Sequence, residues 1–311
     1  MRHPDVEPGV HARKRVTVIA NGTAGQGGCA EGWPEEVSRH CAALGLDAQV
    51  VLVQGGQGIE DAVDAAVKTQ PAIVVAAGGD GTVSAVASRL AGTGMRMGVL
   101  PMGTLNHFAK DLRIPLDLEG AVNVLASGRE LAVDVGEVNG RIFVNNSSLG
   151  LYPDIVRDRD LQRRRLGRSK WPALFTASLH ALRRYPVLTF RIEIDGQSIV
   201  RRSAFAFIGN NEYQMEGFNI GEREGLTDGK LSLYVSQRVG RFGLVRLAFR
   251  ALVGRLKQAS DFDVVTAASL VVDTRLARMR VATDGEITWM DTPLKYRVRP
   301  ADLRVMVPAQ A

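Results

Sequence analysis

The chain has 311 residues, 45% of them hydrophobic and 23% charged, and a formal net charge of +6. That length suits two cores of roughly 100–200 residues each, and the composition excludes a fibrous repeat or a disordered chain. No apolar run approaches the ~20 residues that cross a bilayer, and the basic balance favours an anionic partner.

The opening segment, MRHPDVEPGVHARKR, puts no apolar core behind its charges and so does not read as a secretory signal. Cys29 and Cys41 lack metal-ligand company and fit a reducing, cytoplasmic setting. VTVIA (16–20) reads as the first strand, and the glycine-bearing loop Asn21–Gly28 follows it. Val37, Cys41 and Leu44 recur at helical spacing, with Gly45 where a helix ends. AQVVLV (48–53) is a second strand, and Ile59, Val63, Ala66 and Val67 form the next helix face, which Gln70-Pro71 closes. AIVVAA (72–77) is apolar on both faces, as in the middle of a parallel sheet covered on both sides. A fourth apolar run, GVLP, leads into Met102-Gly103-Thr104. Alternating strands and helices imply a doubly wound α/β domain.

Beyond residue 130 the pattern becomes mainly antiparallel β. Asn139-Gly140 and Asp195-Gly196 sit between alternating runs, as hairpin turns do. Helical stretches interrupt at 171–184 and 239–257. The expected organisation is an α/β domain over 1–131 and a β-sandwich domain over 132–293. The pattern leaves open that the last strand, 294–308, returns to the first domain.

Three turns gather at the carboxyl edge of the α/β sheet, where ligands settle. They are Asn21–Gly28, Gly78–Thr82, and Pro101–Thr104. Each has a structural explanation in tight turns; together they suggest a nest of backbone amides for phosphate. Neither the Walker lysine loop nor G-x-G-x-x-G is present. Asp80 could cap a helix, but Thr82 could do so equally well. An anion beside a phosphate nest calls for a shared cation, so Asp80 is expected to handle Mg2+.

With Gly78-Gly79-Asp80-Gly81-Thr82 and LPMGTLNHFAKDL (100–112) in hand, the chain resembles the diacylglycerol kinase catalytic family, which includes sphingosine and ceramide kinases. The resemblance covers nearly the whole chain. VNNSSLGL (144–151), TDGKLSLYV (227–235) and ATDGEI (282–287) look like later family motifs. The resemblance implies ATP-dependent phosphorylation of a lipid hydroxyl, diacylglycerol by default, with ceramide or sphingoid acceptors as variants. It implies nucleotide contacts at Asn21, Gly22, Gly25, Gly78, Gly79, Asp80, Gly81, Thr82, Val83, Ser84, Thr104 and Asn106. It also implies a Mg2+ site at Asp228 with the carbonyls of Gly225 and Lys230, and Glu286 as proton acceptor. A hairpin-turn glutamate is the plain alternative for Glu286, and Asp284 is left as a turn residue. Two positions depart from the family: His107 stands where many members have Asp, which leaves the Asp228 site open to alteration or loss, and Gln26 where many have a cation; these two favour a relative with little turnover.

The lipid would be reached from the water side, at an anionic membrane surface. The segment 157–170 carries seven Arg or Lys against two Asp and is the candidate docking surface. In 238–258 the basic residues Arg246, Arg250 and Lys257 share one helical face, which either lies on lipid or is solvated. No nucleic-acid partner is expected, and a homodimer is left open. Competing readings are an NAD kinase-like enzyme, which shares GGDGT, and a low-activity lipid- or nucleotide-sensing relative.

Overall fold

The computed structural model describes residues 13–22, 32–150, 187–214, 222–223, 225–236 and 262–309. The first glycine loop with Gly25 and Gln26, the basic segment 157–170 and the helical stretches at 171–184 and 239–257 lie outside these residues.

The first layer follows the expected alternation. It comprises β1 (Lys14–Asn21), α1 (Trp33–Ala43), β2 (Leu46–Val53), α2 (Gly55–Thr69), β3 (Ile73–Gly78), α3 (Asp80–Leu90), β4 (Arg96–Pro101), α4 (His107–Asp111) and α5 (Leu118–Ser127). Helix α1 begins with Pro34, Glu35 and Glu36, which suit the positive end of a helix dipole. It buries Trp33, Val37 and Cys41. Strand β3 lies between β1 and β4, parallel to both, and all six of its residues are buried. A strand hydrogen-bonded on both edges and covered on both faces can be apolar throughout. Gly45 adopts φ +74 just past α1 and donates its amide to the Ala42 carbonyl.

The remaining strands are β5 (Arg129–Val138), β6 (Arg141–Phe143), β7 (Asn146–Gly150), β8 (Leu188–Ile194), β9 (Gln197–Ser203), β10 (Phe205–Asn210), β11 (Tyr213–Gln214), β12 (Glu222–Arg223), β13 (Leu231–Ser236), β14 (Phe262–Ala267), β15 (Ser269–Asp273), β16 (Arg278–Thr283), β17 (Glu286–Asp291) and β18 (Leu294–Val307). Among the described residues a ten-stranded sheet runs β2-β1-β3-β4-β18-β15-β8-β9, with β5 and β6 branching from β18. A six-stranded sheet runs β14-β13-β10-β7-β16-β17. Hairpins β5–β6, β8–β9 and β16–β17 turn at Asn139-Gly140, Asp195-Gly196 and Asp284-Gly285, with positive φ at both central residues of each. Only such turns match the twist of the flanking strands with a two-residue loop.

Two cores result. The first packs β1, β3 and β4 between the helices. The second fills a sandwich between the six-stranded sheet and the antiparallel end of the ten-stranded one, with Phe143, Phe190, Ile208, Leu233, Val281 and Tyr296 inside. Strand β18 joins the two layers. Its first half pairs with β15, its second half runs parallel to β4, and β5 accompanies it along its length. The boundary expected at residue 131 therefore falls inside β5, so no linker separates the layers there. The register shift between Arg299 and Leu303 is held by buried Asp134, which accepts from the Ala301 amide at 2.9 Å. Among the described residues no helix is long and apolar enough to cross a membrane.

Candidate functional site

Asn21, Gly78 and Pro101 end β1, β3 and β4, which are neighbours in the parallel sheet, so the first, second and third turns start from one edge. The second and third turns touch. The Met102 amide donates to the Gly78 carbonyl at 2.9 Å, and a Cβ on Gly103 would lie 2.6 Å from the Gly79 Cα. Glycine at 103 is therefore a condition for backbone to lie on backbone, and at 79 the fit is tight, 3.3 Å from a Cβ to the Gly103 Cα.

Asp80 opens α3 with its carboxylate directed across to the third turn. One oxygen accepts from the Asn106 amide at 3.0 Å and the other from the His107 amide at 2.8 Å. Asp80 thus caps the amino end of α4 from a distant segment, a service normally given by the local N-cap residue. The two amide donors offset its charge, so the expectation that Asp80 requires a cation does not follow from electrostatics alone. Asn106 spends its side chain on the same turn. Its Oδ1 accepts from the Gly103 amide and its Nδ2 donates to the Gly103 carbonyl, both at 2.9 Å, with φ +52 at Asn106 itself. Thr82 and Val83 face the core, whereas Gly81 and Thr104 are exposed. Thr82 and Val83 could therefore meet a nucleotide only through backbone.

The residue that sequence reasoning left aside organises the other wall. Asp284 lies at the β16–β17 turn with its backbone partly exposed and its carboxylate turned inward. Oδ2 accepts from Ser84 Oγ at 2.6 Å and from the Val144 amide at 2.8 Å. Oδ1 accepts from the amides of Asn145 at 2.8 Å and Asn146 at 3.0 Å. Burial pushes this carboxyl above the usual carboxylate range, against the pull of its four donors. Two residues on, Glu286 starts β17, largely exposed, and accepts from Arg141 Nη2 at 2.6 Å. Arg141 Nε also donates to Thr283 Oγ1 at 2.8 Å, which fixes the guanidinium beside the turn. The same DG dipeptide that signalled a hairpin thus carried a second use for its Asp. Nothing in the sequence pattern separated the two uses.

A second junction pairs Arg223 with Asp111 of α4. The arginine side chain is 0% exposed and the aspartate 7%, with Nη2–Oδ2 2.6 Å and Nε–Oδ2 2.8 Å. Burial raises the Asp111 carboxyl, while Arg223 and then His107 pull it down. Neither Arg223 nor Asp111 was singled out from sequence, because a lone Arg in GEREG and the Asp closing a short helix carry no local signature.

The expected metal set is Asp228 with the carbonyls of Gly225 and Lys230. Asp228 is exposed, and its carboxylate lies over Gly225. Lys230 Nζ stands 3.7 Å from Asp228 Oδ2, and the Lys230 carbonyl already accepts the Asn211 amide at 2.9 Å. The loop closes on protein donors and acceptors instead. Asp134 Oδ2 accepts the Gly229 amide at 2.7 Å, and the Asp134 amide donates to the Leu226 carbonyl at 2.8 Å. Lys230 Nζ donates to Glu212 at 3.2 Å and only partly offsets Asp228, so the set offers one exposed carboxylate beside backbone carbonyls. Among the described residues no three His, Cys, Asp or Glu side chains group as metal ligands.

With this geometry in place, comparison with known proteins adds two consecutive family matches. Residues 15–138 match the diacylglycerol kinase catalytic domain, and 155–307 match the YegS C-terminal NAD kinase beta sandwich-like domain. A diacylglycerol kinase of Staphylococcus aureus (strain bovine RF122 / ET3-1) is 29% identical over 219 residues, 66% of this chain and 65% of the relative. The chain thus spans just under two thirds of that relative's length. The diacylglycerol kinase of Staphylococcus carnosus (strain TM300) is 29% identical over 233 residues, 73% of this chain and 74% of the relative. A crystal structure from Bacillus anthracis str. Sterne superposes with TM-score 0.74 at 22% identity, covering 96% of this chain and 99% of its own. That likeness bears on the fold, an α/β layer joined to an antiparallel β-sandwich.

Proposed function

The chain belongs to the diacylglycerol kinase catalytic family, and on that premise we propose that it is an ATP-dependent lipid kinase. The γ-phosphoryl group of MgATP would pass to a lipid hydroxyl, with diacylglycerol as default acceptor. One observation carries the reading: Ser84 Oγ on α3 donates to Asp284 at 2.6 Å, across 200 residues of sequence. That bond ties the turn bearing Glu286 to the helix that starts at the Gly78–Thr82 turn, which supports a reading in which an acid and an amide nest serve one site.

The chemistry assigns roles to each wall. The first amides of α3 have no intrahelical partner and form the positive end of the helix dipole, which suits a nucleotide's phosphates. Glu286, exposed and oriented by Arg141, takes the acceptor hydroxyl's proton as its oxygen bonds to the γ-phosphorus and the bond to the β-phosphate oxygen breaks. Arg141 adds positive charge next to the transferring group. Asp80, each of whose oxygens takes one amide, is the residue that would share a nucleotide-borne magnesium ion, which would supply neutralisation of phosphate charge. A lipid acceptor is reached by peripheral contact with an anionic membrane surface.

The test is transfer of label from γ-labelled ATP to diacylglycerol, ceramide and sphingoid base in separate anionic vesicles, with NAD as a fourth acceptor. Labelled phosphatidic acid supports the proposal. A ceramide or sphingoid product moves the acceptor within the same class. Labelled NADP would replace the reading with an NAD kinase, and nucleotide binding without product would make the chain a sensing relative.

A further inference from the structure

Arg223 is the one described arginine whose side chain is completely withdrawn from solvent while making an ion pair. Its guanidinium makes four hydrogen bonds and one further ion-pair contact. Nε and Nη2 reach Asp111 Oδ2, Nη1 reaches the carbonyls of Val144 at 2.7 Å and Asn210 at 3.2 Å, and Nη2 also reaches Asn145 Oδ1 at 2.9 Å. The guanidinium carbon stands 5.3 Å from the centre of the Tyr213 ring. A guanidinium so enclosed is held in one orientation, because its planar fork meets acceptors on three sides.

The groups it holds are those that form the cradle of Asp284. Residues Val144, Asn145 and Asn146 give their three amides to the Asp284 carboxylate, while the Val144 carbonyl and the Asn145 side chain go to Arg223. Asn210 Nδ2 supports the same carbonyl of Val144 at 3.0 Å. An anion thus grips the segment on its donor side and a cation on its acceptor side. Followed onward, the bonds close a ring. Asp80 of α3 caps α4, Asp111 ends α4 and binds Arg223, Arg223 binds 144–146, that segment binds Asp284, and Asp284 returns to α3 through Ser84.

We infer that Arg223 is a positioning residue for the reaction proposed above: a built-in cation that, with Asp111, fixes the 144–146 cradle and through it the turn carrying Glu286. The inference rests on the kinase reading for its effect on turnover, and on geometry alone for its effect on the cradle. Arg223 touches neither nucleotide nor acceptor in this account. It acts through Asp284, two bonds removed from the cleft.

Arg223→Met alone strands a buried Asp111 carboxylate and is expected to destabilise the protein, which says nothing of positioning. The informative variant is the double substitution Arg223→Met with Asp111→Leu, which replaces the pair with apolar groups of similar volume and leaves no orphan charge. The full chain is followed by thermal unfolding, by hydrogen exchange of the amides at 144–146, and by lipid phosphorylation. We expect the double variant to regain the Tm lost in Arg223→Met, to exchange its 144–146 amides at least ~10-fold faster than wild type, and to keep an unchanged KM for ATP. Its kcat should fall at least ~10-fold, as misplacement of a catalytic group by a fraction of an ångström requires. Wild-type exchange and kcat in the double variant would overturn the inference. Should the double variant not fold, Arg223→Lys decides. Its single ammonium cannot span Asp111, Val144 and Asn145 together, so the same faster exchange is expected and wild-type exchange refutes. A wild-type protein that phosphorylates no lipid would remove the kinase reading, and the exchange result would still judge the cradle.

Discussion

Replacing Asp284 with Asn changes one atom and tests whether the Ser84–Asp284 contact sets the cleft. The side-chain carbonyl of Asn can keep the two amides now on Oδ1, from Asn145 and Asn146. Its NH2 then confronts the Val144 amide, donor against donor, where Oδ2 had accepted at 2.8 Å. Ser84 can rotate and accept instead. One orphaned amide costs about 1–3 kcal/mol, and the surviving bonds lose their charge assistance, roughly half their strength. Relief of the buried charge offsets part of this, because burial already holds the Asp284 carboxyl above its ordinary range. The net loss is on the order of 2 kcal/mol, or about 4–8 °C in Tm at roughly 2–4 °C per kcal/mol. The effect on turnover is larger, since a turn displaced by about 1 Å costs on the order of 100-fold in rate. The assay is labelled-phosphate transfer to diacylglycerol at saturating ATP, with a melting curve on the same sample. A folded Asp284→Asn protein with wild-type kcat, or with only its KM altered, would refute the reasoning.

Glu286→Gln should abolish turnover yet leave Tm within about 1–2 °C, because the Arg141 pair it breaks is exposed and such pairs contribute about 0–1 kcal/mol; residual activity above a few per cent would remove Glu286 from its role. Gly103→Ala places a methyl 2.6 Å from the Gly79 Cα, backbone against which it cannot slide, so a loss of about 1–3 kcal/mol and weaker MgATP binding by calorimetry are expected. Acidification should separate activity from stability. Asp284 and Asp111 both have folded pKa values raised above their unfolded ones, chiefly by burial. The stability they contribute is therefore complete below the unfolded value of about 3.9 and is lost as pH rises through the folded values. Lowering the pH thus does not unfold the protein through them. It does add a proton to a carboxylate already surrounded by four donors, so kcat should fall at a pH above about 4 while Tm holds, and a parallel fall of both would contradict the assignment.

Much of the fold was readable because its causes are local. Alternating apolar runs give β1, β3 and β4, and three dipeptides ending in Gly fix three hairpins at positive φ. The glycine turns were readable for a partly mistaken reason. Gly79 and Gly103 admit each other's backbone before they admit any phosphate, and Asp80 answers two amides. What stayed hidden was long-range pairing. Ser84 finds Asp284, and Asp111 finds Arg223 across 112 residues, through β18 and β5 folding one sheet onto another. No window of sequence contains both partners of such a bond. The surroundings of the Asp228 set were hidden for a similar cause, since Lys230 and the Asn211 amide reach its atoms from the fold.

The departure at position 107 can be judged on the same grounds. Its weight as a sign of lost activity depended on a carboxylate side chain being needed there. In the structure the service given by residue 107 to the nest is its backbone amide, donated to Asp80, and the side chain is exposed. Any residue other than proline supplies that amide. The far end of the same helix is secured by Asp111 on Arg223, a cation that is covalently part of the chain and independent of metal supply. Helix α4 is therefore fixed at both ends without help from the His107 side chain, and replacing His107 with Asn should leave both Tm and kcat close to wild type. A large loss in that variant would mean the imidazole does more than sit near Asp111, and would return weight to the reading in which this position sets activity.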